Sequence, residues 1–99
     1  MPKGYIVANI DVSDAERLNE DYGSRSRPYM QRNGGRYLVR TNEIDQREGD
    51  LRLKRLIIIE FPSVEVARKV YDSEEYRRDI LPHRLKWAKS DLVIVEGAE

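Results

Sequence analysis

Arg40 and Glu60 sit inside two otherwise apolar, strand-like runs, Arg36 to Thr41 and Leu56 to Phe61. If the chain between them turns near Glu48-Gly49-Asp50, positions whose numbers sum to about 100 face one another across neighbouring antiparallel strands, which sets Arg40 against Glu60. A charge among apolar strand residues needs a partner, so the two are expected to meet. As chemistry, Arg40 can grip a substrate carboxylate bidentately while Glu60 acts as orienter or general base. As architecture, the same two residues are a cross-strand ion pair at the end of a sheet.

A second group is Tyr76, His83 and Arg84, with Tyr22 able to face them from an earlier helix. Tyr76, Ile80, His83 and Trp87 recur at spacings of four, three and four, one side of a helix. Histidine is the side-chain type that ordinarily titrates near neutral pH, which makes His83, the single histidine, the default acid-base candidate. The bland alternative is a half-buried packing histidine. Asn9 and Asp11 are polar residues on one face of the first strand. A buried Asn9 amide can orient a carbonyl or oxyanion beside a pocket, and an exposed one is merely solvated. Gly34-Gly35 follows a helix and precedes a strand, the reverse of what a phosphate loop needs. The arginines at 25, 27, 32, 36 and 40 form a local basic patch, read either as a solvated helix face or as a seat for an anion.

The elements that position these groups are legible from their boundaries. Tyr5 to Val12 reads as a first strand, and Ser13 with Glu16 reads as a capping box opening a helix. Gly23 and Pro28 predict that this helix, Asp14 to Arg32, is broken and resumes at Pro28. Asn33-Gly34-Gly35 ends it. Arg36 to Thr41 and Leu56 to Phe61 are strands two and three, paired as a hairpin. Ser63 caps a second helix, and Ser73 caps a further stretch that either bends at Pro82 or restarts there. Asp91 to Glu96 is the fourth strand. This order predicts an α+β, ferredoxin-like βαββαβ domain over residues 1–99, with a four-stranded antiparallel sheet and the helices on one face. Leu56 to Ile59 and Leu92 to Val95 are apolar at both alternate sets of positions. Both sheet faces must therefore be covered, the second by an identical sheet in a homodimer.

Composition narrows the function classes. Eighteen basic residues balance eighteen acidic ones, which argues against a nucleic-acid binder. With no cysteine and one histidine, neither thiolate chemistry nor a metal site is expected. No apolar run exceeds the four residues of Leu56 to Ile59, so no membrane span is expected, and the reading is a cytoplasmic protein without a signal peptide.

Lys3-Gly4-Tyr5, Gly34 through Arg40, Ile59-Glu60-Phe61-Pro62-Ser63, Tyr71 through Tyr76, Arg84 and Asp91 through Gly97 together resemble the domain of unknown function 1330 family, within the dimeric α+β barrel superfamily. The resemblance implies ferredoxin-like homodimers whose paired sheets close into a barrel, and it strengthens a ligand role for Arg84. Relatives in the superfamily include cofactor-free monooxygenases, muconolactone isomerase-like enzymes and stress-related binding domains. The expected function is then a cofactor-free enzyme, isomerase or monooxygenase-like, on a small anionic or aromatic molecule held between sheet and helices. In that scheme Arg40 anchors, Asn9 and Tyr76 hydrogen-bond, and His83 or Glu60 moves protons. The alternative is a non-catalytic dimer that binds a metabolite or a protein.

Overall fold

Strand β1 (Gly4–Val12) shows why the sheet forms where it does: Gly4, Ile6, Ala8 and Ile10 are buried while Tyr5, Val7 and Asn9 between them are partly exposed. The computed structural model, which describes residues 2–98, pairs β1 with β3 (Leu56–Phe61) on one side and β4 (Ala88–Glu96) on the other. Strand β2 (Arg36–Thr41) pairs with the outer edge of β3, so the order is β2-β3-β1-β4 and every pairing is antiparallel. This is the ferredoxin-like arrangement expected from the element order. The fourth strand starts three residues earlier than expected, at Ala88, directly out of the preceding helix.

The first helical run is continuous rather than broken. Helix α1 (Ala15–Leu18) passes through a π-helical turn (Asn19–Gly23) into α2 (Ser24–Arg32), and Pro28 lies within α2. Burial of Tyr29 and Met30 against the sheet holds the run together despite the proline, as tertiary packing commonly overrides propensity. The helix cap is Asp14, whose carboxylate accepts the Arg17 N–H at 3.0 Å. Ser13, expected to cap, instead donates to the Trp87 carbonyl at 2.9 Å. Helix α3 (Val64–Asp72) is capped by Ser63. After Asp72, Ser73 accepts the Tyr76 N–H at 3.1 Å and starts a π-helical turn (Tyr76–Ile80) that continues as α4 (Leu81–Trp87), with Pro82 in its first turn. Gly34 ends α2 at a φ of +92°, where a side chain would be strained.

All three helical runs pack on one sheet face. Ile6, Phe61 and Tyr76 are the most completely buried large side chains and mark the centre of the core. The other face carries Tyr5, Val7, Ile58, Val93 and Val95, joined by direct cross-strand pairing. Val93 stays 53% exposed and Val95 42%. No helix among the described residues is long and apolar enough to cross a membrane.

The β2–β3 connection, positions 42–55, lies back against the sheet. The Asn9 amide holds it at two points, donating to the Arg52 carbonyl at 3.2 Å and accepting from the Lys54 N–H at 2.8 Å. This connection is too long to act as a tight turn, and the pairing shifts accordingly. Arg36, not Arg40, lies opposite Glu60, while Arg40 lies opposite Ile57.

Gly4 is fixed by contact rather than by backbone angle. A Cβ there would sit 2.5 Å from the backbone of Ser63 and Val64, where α3 begins. Gly4→Ala is expected to destabilise the fold by about 1–3 kcal/mol, measured by urea unfolding, because the obstruction is main chain that cannot swing aside.

A donor-lined pocket between sheet and helices

Three one-residue irregularities point their side chains at the same place. A β-bulge interrupts the β2–β3 register between Tyr37 and Val39. Tyr37 and Arg40, three apart and therefore on opposite faces of a regular strand, both end up facing the helices, across from Ile59 and Ile57. The two π-helical turns, Asn19–Gly23 and Tyr76–Ile80, each insert one extra residue into a helical run. In the first, Gly23 is buried because a Cβ would press on Asn19 Oδ1 and Arg27 Nη1, both 3.0 Å away. In the second, the extra residue rotates the following turn, so the buried stripe runs Tyr76, Ile80, Arg84.

The result is a pocket on the helix-covered face. Its floor is apolar, with Ile6 and Ala8 from β1 and Ile57 and Ile59 from β3. Its polar lining includes four arginines, Arg27, Arg40, Arg55 and Arg84, and three tyrosines, Tyr22, Tyr37 and Tyr76. Among the described residues no carboxylate lines it. The cavity holds about 50 Å³, room for roughly four waters, within a wider concavity of about 620 Å³ that includes its open mouth. A carboxylate or one edge of a small ring fits the closed space, and a longer molecule extends into the mouth.

Arg84 is the unusual group. It is 4% exposed, has no carboxylate within 4.0 Å among the described residues, and its Nε has no hydrogen-bond partner. Its compensation is aromatic: Nη1 donates to the Tyr76 hydroxyl at 3.3 Å, and the guanidinium lies 5.5 Å from the centre of the Tyr22 ring. Burial works against its charge, while the oxygens of Tyr76, Tyr22 and Tyr71 favour it and leave its pKa raised. The Tyr22 and Tyr76 hydroxyls hydrogen-bond to each other at 2.6 Å. Burial pushes the Tyr76 phenol far above its ordinary range, and Tyr22 adds to this. Burial likewise raises Tyr37 to about 12. Both phenols therefore stay protonated and neutral. At the mouth, burial first and then Arg27 and Arg55 lower the pKa of Arg40.

The residues expected to do chemistry divide into two sets. Tyr22, Tyr76, Arg84 and Arg40 meet in this pocket. Glu60 does not: it lies on the opposite sheet face, accepting the Tyr5 hydroxyl at 3.1 Å, so the expected Arg40–Glu60 pair is replaced by Tyr5–Glu60. Asn9 lies on that same far face and spends its amide on the 42–55 connection. His83 is half-buried, its Nδ1 has no partner among the described residues, and it lies outside the pocket lining because the π-helical turn gives Arg84 the inward position. Tyr37, Arg27 and Arg55 join the site without having been singled out. The basic series had included Arg27, but nothing in spacing alone separates it from Arg32, which pairs with Glu75 at 2.7 Å on the surface. Among the described residues no group of three or more His, Cys, Asp or Glu is placed to hold a metal ion.

Phenols whose pKa is higher folded than unfolded stabilise the fold below their unfolded pKa and lose that contribution as pH rises. For Tyr37 the window runs from 10.0 to about 12, and the raised Tyr76 acts in the same direction. The urea midpoint is expected to fall progressively above pH 10, and the fall should be smaller in Tyr37→Phe.

Comparison with known proteins places this geometry. The sequence profile of the family described as domain of unknown function (DUF1330) matches residues 3–98. The crystal structure of the methylated RPA0582 protein superposes with a TM-score of 0.76 at 17% identity, covering 99% of this chain and 82% of that one. The RPA0582 protein of unknown function from Rhodopseudomonas palustris gives 0.73 at 18% identity, with 99% and 84% covered. SnoaB, a cofactor-independent oxygenase from Streptomyces nogalater, gives 0.63 at 16% identity, with 100% and 96% covered. No curated protein matches the chain. These neighbours share the dimeric α+β barrel fold, and the profile match spans nearly the whole sequence. The chain belongs to the DUF1330 family.

Proposed function

We propose that this chain is a homodimer that binds a small organic anion, a carboxylate, phenolate or enolate, in the pocket of each protomer and acts on it without a metal or an organic cofactor. The observation that carries this reading is the buried, carboxylate-free Arg84 guanidinium beside the Tyr22 and Tyr76 hydroxyls. A cation held out of water without a counter-ion costs several kcal/mol, and an anionic ligand supplies what is missing. Arg84 can only donate, and the bonded Tyr22–Tyr76 pair keeps one hydroxyl proton to offer, so the pocket favours a substrate in its ionised form. That is oxyanion stabilisation by fixed donors in a site of low polarity. Ionised phenols and enols are electron-rich enough to react with oxygen or to isomerise, and the shared fold of a cofactor-independent oxygenase supports that class. Dimerisation is supported by the apolar, uncovered sheet face around Val93 and Val95.

A second reading, binding without turnover, is favoured by one observation: neither His83 nor Glu60 lines the pocket, so no general base from these two reaches a bound substrate.

The binding test uses 4-nitrophenol, whose visible absorbance reports its ionised form. The protein is expected to shift its ionisation to lower pH. Arg84→Met should abolish that shift while leaving the unliganded protein as stable or more stable by about 1–4 kcal/mol, since an apolar side chain of similar length removes an uncompensated buried charge. If Arg84→Met instead retains the shift, Arg84 is a packing residue and the reading fails. An oxygen electrode together with the ultraviolet spectrum of the bound phenolate or enolate then separates turnover from binding: an oxygenase consumes oxygen, an isomerase changes the spectrum at constant oxygen, and a binding protein does neither. In sedimentation, the mass is expected to be twice the 11.6 kDa of the chain. Val93→Glu combined with Val95→Glu should shift it to the monomer.

A further inference from the structure

The treatment of arginine across the molecule is uneven. Outside the pocket, among the described residues, five of the nine arginines, Arg17, Arg32, Arg47, Arg77 and Arg78, make six ion pairs with carboxylates. Inside it, Arg27, Arg40, Arg55 and Arg84 have none among the described residues. Two of them are held instead by neutral amides: Arg27 Nη2 donates to Asn19 Oδ1 and Arg55 Nε to Asn42 Oδ1, both at 2.8 Å. An amide fixes the direction of a guanidinium without cancelling its charge. The Arg40 side chain, beside them, makes no hydrogen bond or ion pair among the described residues, and its charge is disfavoured by partial burial and then by both neighbours. Three like charges gathered with no acid between them repel one another, and preorganised donors of this kind are what an anion site requires.

These arginines occupy two ends of one pocket. Arg84 is buried at the inner end with Tyr22 and Tyr76. Arg40 is exposed at the mouth with Arg27 and Arg55. Between the ends the wall is hydrocarbon, from Ile57 and Ile59, and the Arg40 and Tyr37 positions facing those two residues are separated by about 7 Å along the strand.

We infer that the pocket is a two-ended site whose ligand is a small dianion with a hydrocarbon middle, a short dicarboxylate or its equivalent, one anionic group against Arg84, Tyr22 and Tyr76 and the other against Arg40, Arg27 and Arg55. The inference rests on the anion-binding reading above and adds the second anionic group. A monoanion fills the inner end and leaves the outer three charges uncompensated, whereas a dianion satisfies both.

Calorimetric titration at low ionic strength decides it, with succinate, glutarate and adipate against butyrate, pentanoate and hexanoate. At least one dicarboxylate is expected to bind about tenfold more tightly than the monocarboxylate of equal chain length, one further charge-assisted contact's worth. In Arg40→Gln that ratio should fall towards one, and Arg55→Gln gives an independent measure of the same end. In Arg84→Gln both classes should weaken together. Equal affinities for the two classes in the wild type, or an unchanged ratio in both Arg40→Gln and Arg55→Gln, would overturn the two-ended site while leaving the anion pocket in place. If neither class binds at all, the two-ended site falls, and the anion-binding reading falls with it when the 4-nitrophenol shift is absent as well.

Discussion

An arginine held almost entirely out of water, with phenols for company and no acid, constrains everything built around it. Arg84 can stay charged there only because Tyr76 and Tyr22 present oxygen and ring face to it. Those tyrosines need their own support, and they find it in each other, in the edge-on packing of Tyr22 and Tyr76, and in the stacked contact of Tyr29 with Tyr76. Tyr29 in turn hydrogen-bonds to the Val70 carbonyl and to Ser73, the residue that caps the run carrying Tyr76 and Arg84. Core packing and pocket electrostatics are therefore one network, and the cost of the charge is spread through the centre of the molecule.

The sheet divides its labour by face. On the helix-covered side the small Ala8 and the branched side chains of β1 and β3 leave a hollow between floor and helices. On the other side Tyr5 and Glu60 hydrogen-bond at one end, the Asn9 amide ties down the long connection at the other, and apolar side chains lie between. The hydrogen bonds of Tyr5, Glu60 and Asn9 on this second face are made within the chain. What it offers a neighbour is apolar surface, which suits association rather than catalysis.

Residue types and turn signals were enough to read the fold. Strand β1, the β2 and β3 runs, the Ser63 and Ser73 caps and the Gly34 stop all follow from local chemistry that acts over three or four residues. The site was half legible. Tyr22, Tyr76, Arg40 and Arg84 could be named from their types, but their partners could not, because each partnership depends on a single inserted residue. The bulge in β2 decides which face Arg40 takes, and the π-helical turn at Tyr76–Ile80 decides between His83 and Arg84. Regular periods of 2.0 and 3.6 carry no trace of such an insertion, so a periodic reading runs one residue out of phase beyond it. The register of the Arg40–Glu60 pair failed for a related reason: positions 42–55 fold back onto Asn9 instead of turning directly.

A π-helical turn is, in genetic terms, one codon too many in a helix. Removing a residue from Asn19–Gly23 or Tyr76–Ile80 would let an ordinary helix close without disturbing the strands on either side, and everything beyond it would rotate by about 100°. Such an event retires a whole set of pocket side chains and installs the adjacent ones in a single step. On this scaffold a descendant could exchange the chemistry of its pocket through insertions and deletions, without first passing through substitutions that expose a lone charge to the core.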